Sequence, residues 1–424
     1  MPITLSAKGS RNVVTAAEAE KILNGWKELL NTSEDKTVVE IDLSCRTWKS
    51  EVLAVFETFF TEAVAPSVEI LKIDDVIASL DTEDGLDSLS FFSRIFADSP
   101  IVSVNLNDNA IGTRGLERLQ SLLKGEKLER LYFHNCGMSK EVAEDLTRIL
   151  APRASRLRSL DLGRNQIGSE GAEEVSKLIS ACTSMESFEY AGSRPLKQGT
   201  SALCNGLVEM TKTNKVLQVL DLDDCLFGTG EEEDDPVHLL VQAITASPSL
   251  KKLVLKDGAL EFDGLVAVID ALKASGAKLS YLDLGALYFE NEGAEALVEF
   301  IKDSQLGSLV ELHLEANSLA NDGALTVLSS LTESKLQVLN LSDNEIEEEG
   351  YQAILDNPIP SLKKLLLKEN DDEIEEDMIE QLRKLYPSVV IGEDEEEQKA
   401  QASSAATANA SLDDLTEALQ EAKI

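Results

Sequence analysis

The residue types best suited to catalysis are few and scattered in this sequence. It has three histidines, at His134, His238 and His313, and no GxxxxGK[ST], GxSxG or HExxH motif. A P-loop for a nucleoside triphosphate, a serine nucleophile elbow and a zinc-peptidase helix are therefore not predicted. The five cysteines are an odd set without CxxC spacing, which favours free thiols over disulfides or a zinc site. We predict no intrinsic catalytic residue, no metal and no cofactor.

Polar residues instead recur at fixed positions of a repeating pattern, L-x-x-L-x-L-x-x-N, as in Leu157, Leu160, Leu162 and Asn165. Copies of the pattern are 26 to 33 residues apart. They begin at Val38, Val68, Ile101, Leu128, Leu157, Met185, Leu217, Leu250, Leu279, Leu309, Leu336 and Leu362. A period near 28 residues is typical of the long leucine-rich repeat, in which each repeat is a short parallel strand and a helix.

The pattern predicts an α/β leucine-rich-repeat solenoid, a horseshoe of about twelve repeats with a parallel sheet on the concave face. Leucines of the strand point inward, and the ninth position is suited to a side chain that hydrogen-bonds the turn. Cys136 and Cys225 occupy that ninth position, so we expect them to be structural. Six residues later a glycine recurs, for example Gly171, where close backbone approach is useful.

Domain limits follow from where this pattern starts and stops. Residues 1–391 are predicted to form the solenoid, with a capping helix near Ala16 to Leu30 and a closing helix and strand within Leu382 to Ile391. Residues 392–410 are an acidic, low-complexity linker whose composition favours disorder. Residues 411–424 are predicted to form a short helix that begins at a Ser411 cap.

Charge limits the classes of partner. The 39 bases and 77 acids give a formal net charge of −38, which disfavours nucleic acid and anionic membranes and favours a basic protein surface. Strand alternation places acidic side chains beside the inward leucines, so we expect them on the concave face. These are Asp161, Glu189, Asp221, Asp223, Asp283 and Glu315. No apolar stretch of membrane-spanning or signal-peptide length is present, so a soluble intracellular protein is expected.

Several segments resemble the Ran GTPase-activating protein family. They are VNLNDNAIG (104–112), LERLYFHNCGMS (128–139), LRSLDLGRNQIG (157–168), LQVLDLDDCLFG (217–228) and EALQEAKI (417–424). The resemblance covers nearly the whole chain and includes the acidic tail. It implies a protein that stimulates GTP hydrolysis on Ran without hydrolysing GTP itself, by placing the GTPase's own glutamine for the attacking water. It also implies a monomer in the cytoplasm, including the perinuclear region, that binds Ran in its GTP form.

The resemblance also implies which residues act. The asparagine of the family's HN motif falls on Asn135, and an acidic residue three repeats later falls on Asp224. Arg164 and Asp108 hold the same pre-ladder position in the flanking repeats, and His134 and Asp223 immediately precede the two main candidates. All six are predicted to bind the partner, with Asn135 as the activating residue. An alanine at position 135 is expected to leave the fold intact.

One departure from the family and one rival function remain. Yeast-type members have a Gly-Arg pair after the second repeat, whereas residues 73–89 contain no arginine here, and Arg46 and Lys72 are the nearest alternatives.

The rival function is that of a stoichiometric inhibitor of the ribonuclease-inhibitor type for a basic protein partner. Such inhibitors are rich in cysteine and lack an acidic tail. Acidic histone-binding leucine-rich proteins have shorter repeats, so the spacing disfavours them.

Overall fold

The computed structural model describes residues 2–302, 308–370 and 374–391 of the chain. They form two compact units, which divide between Asn214 and Lys215. In each unit, parallel strands alternate with helices. The predicted acidic linker 392–410 and the predicted helix 411–424 lie outside the described residues. Among the described helices, none is both long enough and apolar enough to cross a bilayer.

The first unit contains a parallel sheet with the order β1-β3-β5-β6-β7-β8-β9, and a small β2-β4 pair. Its strands are β1 (Ile3–Ser6), β2 (Asn12–Val13), β3 (Val38–Asp42), β4 (Arg46–Thr47), β5 (Ile70–Lys72), β6 (Ser103–Asn105), β7 (Arg130–Tyr132), β8 (Ser159–Asp161) and β9 (Ser187–Glu189). Its helices are α1 (Ala16–Thr32), α2 (Ser50–Leu53), α3 (Glu57–Phe59), α4 (Thr82–Phe96), α5 (Gly112–Leu123), α6 (Lys140–Leu150), α7 (Gly168–Ile179) and α8 (Leu196–Thr211).

The second unit repeats this plan with sequential parallel strands. The strands are β10 (Val219–Asp221), β11 (Lys252–Val254), β12 (Tyr281–Asp283), β13 (Glu311–His313), β14 (Val338–Asn340), β15 (Lys364–Leu367) and β16 (Val389–Ile391). The helices are α9 (Val237–Thr245), α10 (Glu261–Ser275), α11 (Glu290–Lys302), α12 (Asn321–Leu331), α13 (Glu348–Asp356) and α14 (Glu376–Leu385). A strand follows each of the twelve predicted repeat starts, which confirms the α/β leucine-rich-repeat class.

The inward positions of adjacent strands stack in register and form the core. Val104 pairs with Leu131, which pairs with Leu160, and all three side chains are at most 1% exposed. Each inward side chain is therefore covered by its own helix and by both neighbouring repeats. Truncating one such leucine to alanine would cost about 2–5 kcal/mol of stability.

Asparagine at the ninth position joins neighbouring repeats through hydrogen bonds. Nδ2 of Asn165 donates to the carbonyl oxygens of Phe133 at 2.8 Å and Leu162 at 2.9 Å. Its Oδ1 accepts from the backbone N–H groups of Cys136 and Met138, both at 3.0 Å. One buried amide thus satisfies backbone groups of two repeats, which is the role the pattern predicts.

Cys136 supplies a hydrogen-bond donor at the same ninth position, in place of the asparagine amide. Its Sγ lies 3.2 Å from the carbonyl oxygen of Leu106 in the preceding repeat. Burial raises the pKa of this thiol, and burial raises the pKa values of Cys182 and Cys204 to about 12. A reactive thiolate is therefore disfavoured at these positions, and the structural role expected for Cys136 is supported.

The recurring glycine permits close packing between successive helices. A Cβ on Gly171 would lie 3.1 Å from the Cα of Lys140, the first residue of the preceding helix, and closer still to Ile167. Because a backbone atom cannot move aside easily, any larger residue would push α7 away from α6.

Both ends of the repeat array include elements beyond the twelve predicted strands. At the N-terminal end, β1 pairs with β3, so the predicted cap helix α1 is preceded by a further strand. The sequence pattern missed β1 because Ile3–Ser6 contains a single leucine. At the other end, α14 and β16 confirm the predicted closing helix and strand, although the helix begins earlier, at Glu376.

Candidate functional site

The residue before the ninth-position slot has a left-handed backbone in all twelve repeats, with φ between 49° and 61°. These residues are Cys45, Asp75, Asp108, Asn135, Arg164, Gly192, Asp224, Asp257, Ala286, Ala316, Asp343 and Glu369. The conformation lets the N–H group of Asn135 bond the carbonyl oxygen of Gly163 in the next repeat at 2.8 Å. Because this position turns the chain from strand to helix, we call the row of these residues in each unit the loop edge of that unit.

This geometry gives Asn135 a backbone role as well as a side-chain role, and the expectation that alanine at position 135 leaves the fold intact stays a prediction. A left-handed φ disfavours most L-residues, whereas asparagine and aspartate tolerate it. The residue types at Asn135, Asp108 and Asp224 therefore have a structural reason besides any functional one. Arg164 has the same left-handed backbone, although arginine does not tolerate it as asparagine and aspartate do.

Asn135 and Asp108 form a pair at the loop edge of the first unit. Nδ2 of Asn135 donates to Oδ1 of Asp108 at 2.8 Å. Asn135 is exposed and Asp108 is half-buried. Within the described part of the chain, the amide oxygen of Asn135 has no hydrogen-bond partner. The pair therefore offers an oriented amide to a molecule bound at this edge.

His134 lies beside a buried carboxylate on the sheet face opposite the helices. Its Nδ1 is 3.5 Å from Oδ1 of Asp161, which is 2% exposed. Burial lowers the pKa of His134, but the hydrogen bond and charge of Asp161 outweigh it, so the pKa is raised above its ordinary value. A Cβ on Gly163 would lie 2.6 Å from this nitrogen, so the imidazole requires glycine there.

Arg164 is an exposed cation on the same edge. It forms no ion pair with any described residue, and its Cγ lies 3.4 Å from the place that a Cβ on Gly192 would take. The absence of a side chain on Gly192 leaves room for the aliphatic part of Arg164. A free guanidinium is thus available near the Asn135 pair, one repeat away.

A second cation on this edge, Arg11, was not found from the sequence. Its Nε is 2.5 Å from Oδ2 of Asp75, and the hydrogen bond and charge of Asp75, with a further contribution from Asp108, raise its pKa. The Arg11 side chain is 59% exposed although Asp75 is 5% exposed. Sequence reasoning missed it because Arg11 precedes the first repeat.

The two alternatives proposed from the sequence are engaged elsewhere. Arg46 bonds the side chain of Asn12 at 3.0 Å and lies 3.5 Å from Glu18, so it holds the N-terminal segment. Lys72 lies on β5 and pairs with Glu40 at 3.0 Å. Neither side chain is free at the loop edge.

Asp223 and Asp224 lie in the second unit, whereas the other four candidates lie in the first. Asp224 is half-buried, and its N–H donates to the carbonyl oxygen of Lys256 at 3.0 Å. Burial and the charge of Asp221 raise the pKa of Asp223 to about 7. Asp223 is therefore partly protonated near neutral pH.

Three of the six acids expected on the exposed sheet face are buried, and the other three are half-buried. Asp161, Asp221 and Asp283 are only 2%, 9% and 8% exposed, because neighbouring strands crowd them. Basic side chains offset part of the charge: Lys252 lies 3.4 Å from Asp221, and Lys256 pairs with Glu315. Several exposed acids lie instead in the first turns of helices, among them Glu141, Glu170 and Glu348, where the positive end of the helix dipole favours them.

A cluster of acidic residues lies in the loop before α9. Carboxylate oxygens of Glu232, Asp234 and Asp235 lie within 4.8 Å of one another. Asp235 is 6% exposed, and its Oδ2 accepts from the N–H groups of Gly230 at 3.0 Å and Glu232 at 3.3 Å. The run Glu231 to Asp235 is thus an acidic loop whose first four residues are exposed and whose last, Asp235, is buried and bonds the loop's own backbone.

Comparison with known proteins supports the repeat assignment. The model of the Leucine Rich repeat matches residues 155–176 and 333–355. Ribonuclease inhibitor from Mus musculus is 26% identical over 295 residues, covering 61% of this chain and 62% of that protein. The Sus scrofa ribonuclease inhibitor is 25% identical over 290 residues, covering 61% of each. The matches thus span about three fifths of the length of these inhibitors.

A shorter match concerns a GTPase activator. RAN GTPase-activating protein 2 from Arabidopsis thaliana is 28% identical over 129 residues, covering 30% of this chain and 23% of that protein.

A solved structure, that of a TLR13–ssRNA13 complex, aligns over 92% of this chain and 52% of that chain with 15% identity and a TM-score of 0.43. The chain thus has a leucine-rich-repeat fold and is similar in sequence to the ribonuclease inhibitors.

Proposed function

We propose that this chain is a GTPase-activating protein for the small GTPase Ran in its GTP form, and that it does not hydrolyse GTP itself. The observation that carries the proposal is the Asn135 amide, exposed on the loop edge and held by Asp108 at 2.8 Å. The segment resemblances and the partial similarity to the Arabidopsis activator support it. Leucine-rich relatives named as inhibitors support protein binding in general.

The chemistry follows from what an amide can do beside a GTPase site. Phosphoryl transfer needs little covalent help, so an activator acts by positioning groups and stabilising charge. The free oxygen of Asn135 would accept a hydrogen bond from the partner's glutamine and orient it toward the attacking water. One such hydrogen bond contributes about 2–4 kcal/mol at the transition state. Asp108 is then a positioning residue, because it acts through Asn135.

The charged neighbours would bind the partner. Arg164 and Arg11 are exposed cations on this edge and suit acidic or phosphate groups, while His134 would contact the partner from the sheet face. In the second unit, Asp223 and Asp224 would contact basic side chains. The net charge of −38 would speed encounter with a basic surface. We expect a cytoplasmic, partly perinuclear monomer that binds neither nucleic acid nor membranes.

The test is hydrolysis of GTP by a panel of purified small GTPases with the full chain at one hundredth of their concentration. Stimulation of Ran alone, with many turnovers per molecule, supports the proposal. Binding that saturates at one to one without stimulation would favour a stoichiometric inhibitor instead. The chain without a GTPase is the control for intrinsic hydrolysis, which we expect to be absent.

A further inference from the structure

A short basic segment stands out in this acidic chain. Residues 146–160 contain four arginines and no acid, although acids outnumber bases 77 to 39 overall. The segment runs from the end of α6 through a 3₁₀ helix, Ala151–Arg156, into β8. It lies on the edge where helices end and strands begin, opposite the loop edge. Helix C-termini attract cations, so part of this basic charge needs no ligand to explain it.

Arg153 and Arg148 have such structural roles. The Arg153 guanidinium donates to the carbonyl oxygens of Leu123 at 2.8 Å, Ile149 at 3.0 Å and Lys124 at 3.1 Å, and so satisfies the ends of two helices. Arg148 pairs with Asp145 at 2.7 Å on the surface of α6. Both guanidinium groups therefore already have partners within this unit.

The remaining bases surround a cavity of about 310 Å³ at this edge. Its lining includes Lys127, Arg156, Arg158, Ser155, Ser184 and Glu129. No carboxylate of the described residues lies within 4.0 Å of the charged groups of Lys127 or Arg156, and both side chains are exposed. The bond from Arg156 to the carbonyl oxygen of Glu126, at 2.9 Å, uses a single nitrogen of its guanidinium.

Arg158 leaves a buried donor unused in the same lining. One of its terminal nitrogens pairs with Glu186, but its Nε is buried without a hydrogen-bond partner and is 3.9 Å from Oε2 of Glu129. A buried donor without a partner is unfavourable, so an acceptor within reach of this Nε would be favoured. The hydroxyl groups of Ser155 and Ser184 add two further donors.

We propose that this cavity binds a phosphate group in its dianionic form. Lys127 and Arg156 have no paired carboxylate among the described residues, whereas Arg158 is balanced by Glu186 and Glu129. The lining therefore offers about two unpaired positive charges, which match a dianion better than a single carboxylate. Arginine forks bind phosphate oxygens in pairs, and lysine adds a point charge. The volume holds a phosphate together with part of the group that carries it. This proposal is independent of the activity proposed above.

Two sources of phosphate are distinguishable by calorimetric titration of the full chain at pH 7.5. The probes are inorganic phosphate, a short peptide containing phosphoserine, and the same peptide with glutamate at that position. We expect saturable one-to-one binding of phosphate-bearing probes. If the phosphopeptide binds at least ten-fold more tightly than inorganic phosphate, the ligand is a protein-borne phosphate. Equal affinity identifies free phosphate as the ligand.

Two double variants of equal net charge separate the site from the general field. Lys127→Gln with Arg156→Gln should weaken binding at least ten-fold, whereas Lys21→Gln with Lys27→Gln on α1 should leave it unchanged. A third double variant, Ser155→Ala with Ser184→Ala, is a milder, uncharged change that should weaken binding about three-fold. Thermal unfolding of the wild type and the three double variants checks that each is folded. Absence of saturable binding, equal binding of the glutamate peptide, or equal weakening by the α1 variant would overturn the proposal.

Discussion

Asn135 donates a hydrogen bond to Asp108 across two adjacent repeats, and both residues have the left-handed backbone shared by their position in every repeat. The side chains are therefore set by two constraints at once. The backbone fixes the direction in which each side chain leaves the loop edge, and the hydrogen bond fixes the rotation of the amide. An amide held in this way loses little conformational entropy when a partner binds.

Replacement of Asn135 separates its backbone role from its amide role. Asn135→Ala should lower maximal stimulated GTP hydrolysis at least ten-fold and destabilise the fold by about 1 kcal/mol, because alanine resists a left-handed φ. Asn135→Gly should lose the same activity with nearly unchanged stability, since glycine accepts that conformation. Single-turnover hydrolysis at saturating protein and urea unfolding measure the two effects.

Asp343→Ala is a matched control for the strain. Asp343 has the equivalent position in the second unit, with φ of 52°, and is exposed. This variant should lose similar stability and keep full activity. Full activity of the Asn135→Gly protein would show that the amide has no part in stimulation.

Asp108 should act through Asn135, and a double-mutant cycle can show it. Asp108→Ala should reduce stimulated hydrolysis about three- to ten-fold, while the double variant with Asn135→Gly should be no worse than Asn135→Gly alone. That pattern gives a coupling of about 1 kcal/mol between contacting residues. Additive losses would instead mean that Asp108 contacts the partner independently.

Sequence periodicity was sufficient for the strands of the twelve repeats because each repeat has inward positions that must be apolar. It also placed Asn135 and Asp108 at equivalent positions of neighbouring repeats, from which their proximity follows. It did not predict the left-handed φ, because the residue types at that position range from Ala286 to Arg164. Only the bond from the N–H of one repeat to a carbonyl of the next makes the conformation necessary.

The sequence could not predict the ion pairs across the sheet, for a different reason. Arg11 reaches Asp75, 64 residues later and two strands away, and nothing in the repeat pattern marks residue 11. Likewise, alternation placed Asp161 on the exposed face but could not show that it is buried beside His134. Side-chain lengths in neighbouring repeats decide these contacts.

Association with GTP-loaded Ran should slow steeply as salt rises from about 50 to 200 mM. Screening shortens the Debye length from roughly 14 Å to 7 Å, so a net charge of −38 no longer attracts a distant basic surface. Stopped-flow measurement of the association rate tests this. A rate that does not change with salt would exclude electrostatic steering.

His134 should make stability depend on pH in a defined direction. Its folded-state pKa is raised, so its protonated form stabilises the fold below pH of about 6.5, and that contribution is lost as pH rises through the folded value. His134→Gln should remove this component of the pH dependence. Urea unfolding from pH 5.5 to 8.5 measures it, with His238→Gln as control, and an unchanged profile for His134→Gln would contradict the prediction.

Asp223 should destabilise the second unit when it ionises. Its pKa is raised from 3.8 to about 7, so the folded state binds a proton more tightly than the unfolded chain. The stability that protonated Asp223 contributes is present at low pH and declines from about pH 4 to 7. Asp223→Asn, which mimics the protonated form, should be more stable than the wild type at pH 8 by on the order of 2 kcal/mol, after a discount for partial exposure.

Asp223 should affect partner binding in the opposite direction: as pH rises, its ionisation lowers stability but should raise affinity for the partner. A basic side chain near Asp223 would favour the ionised form, so association with Ran should release a proton and tighten as pH rises from 6 to 8. Asp223→Asn should weaken binding at pH 8 and remove this pH dependence, whereas Asp343→Asn, an exposed acid of the same unit, should change neither. Calorimetry in buffers of different ionisation enthalpy measures the proton release directly. If wild type and Asp223→Asn release equal numbers of protons, Asp223 does not contact the partner's basic groups.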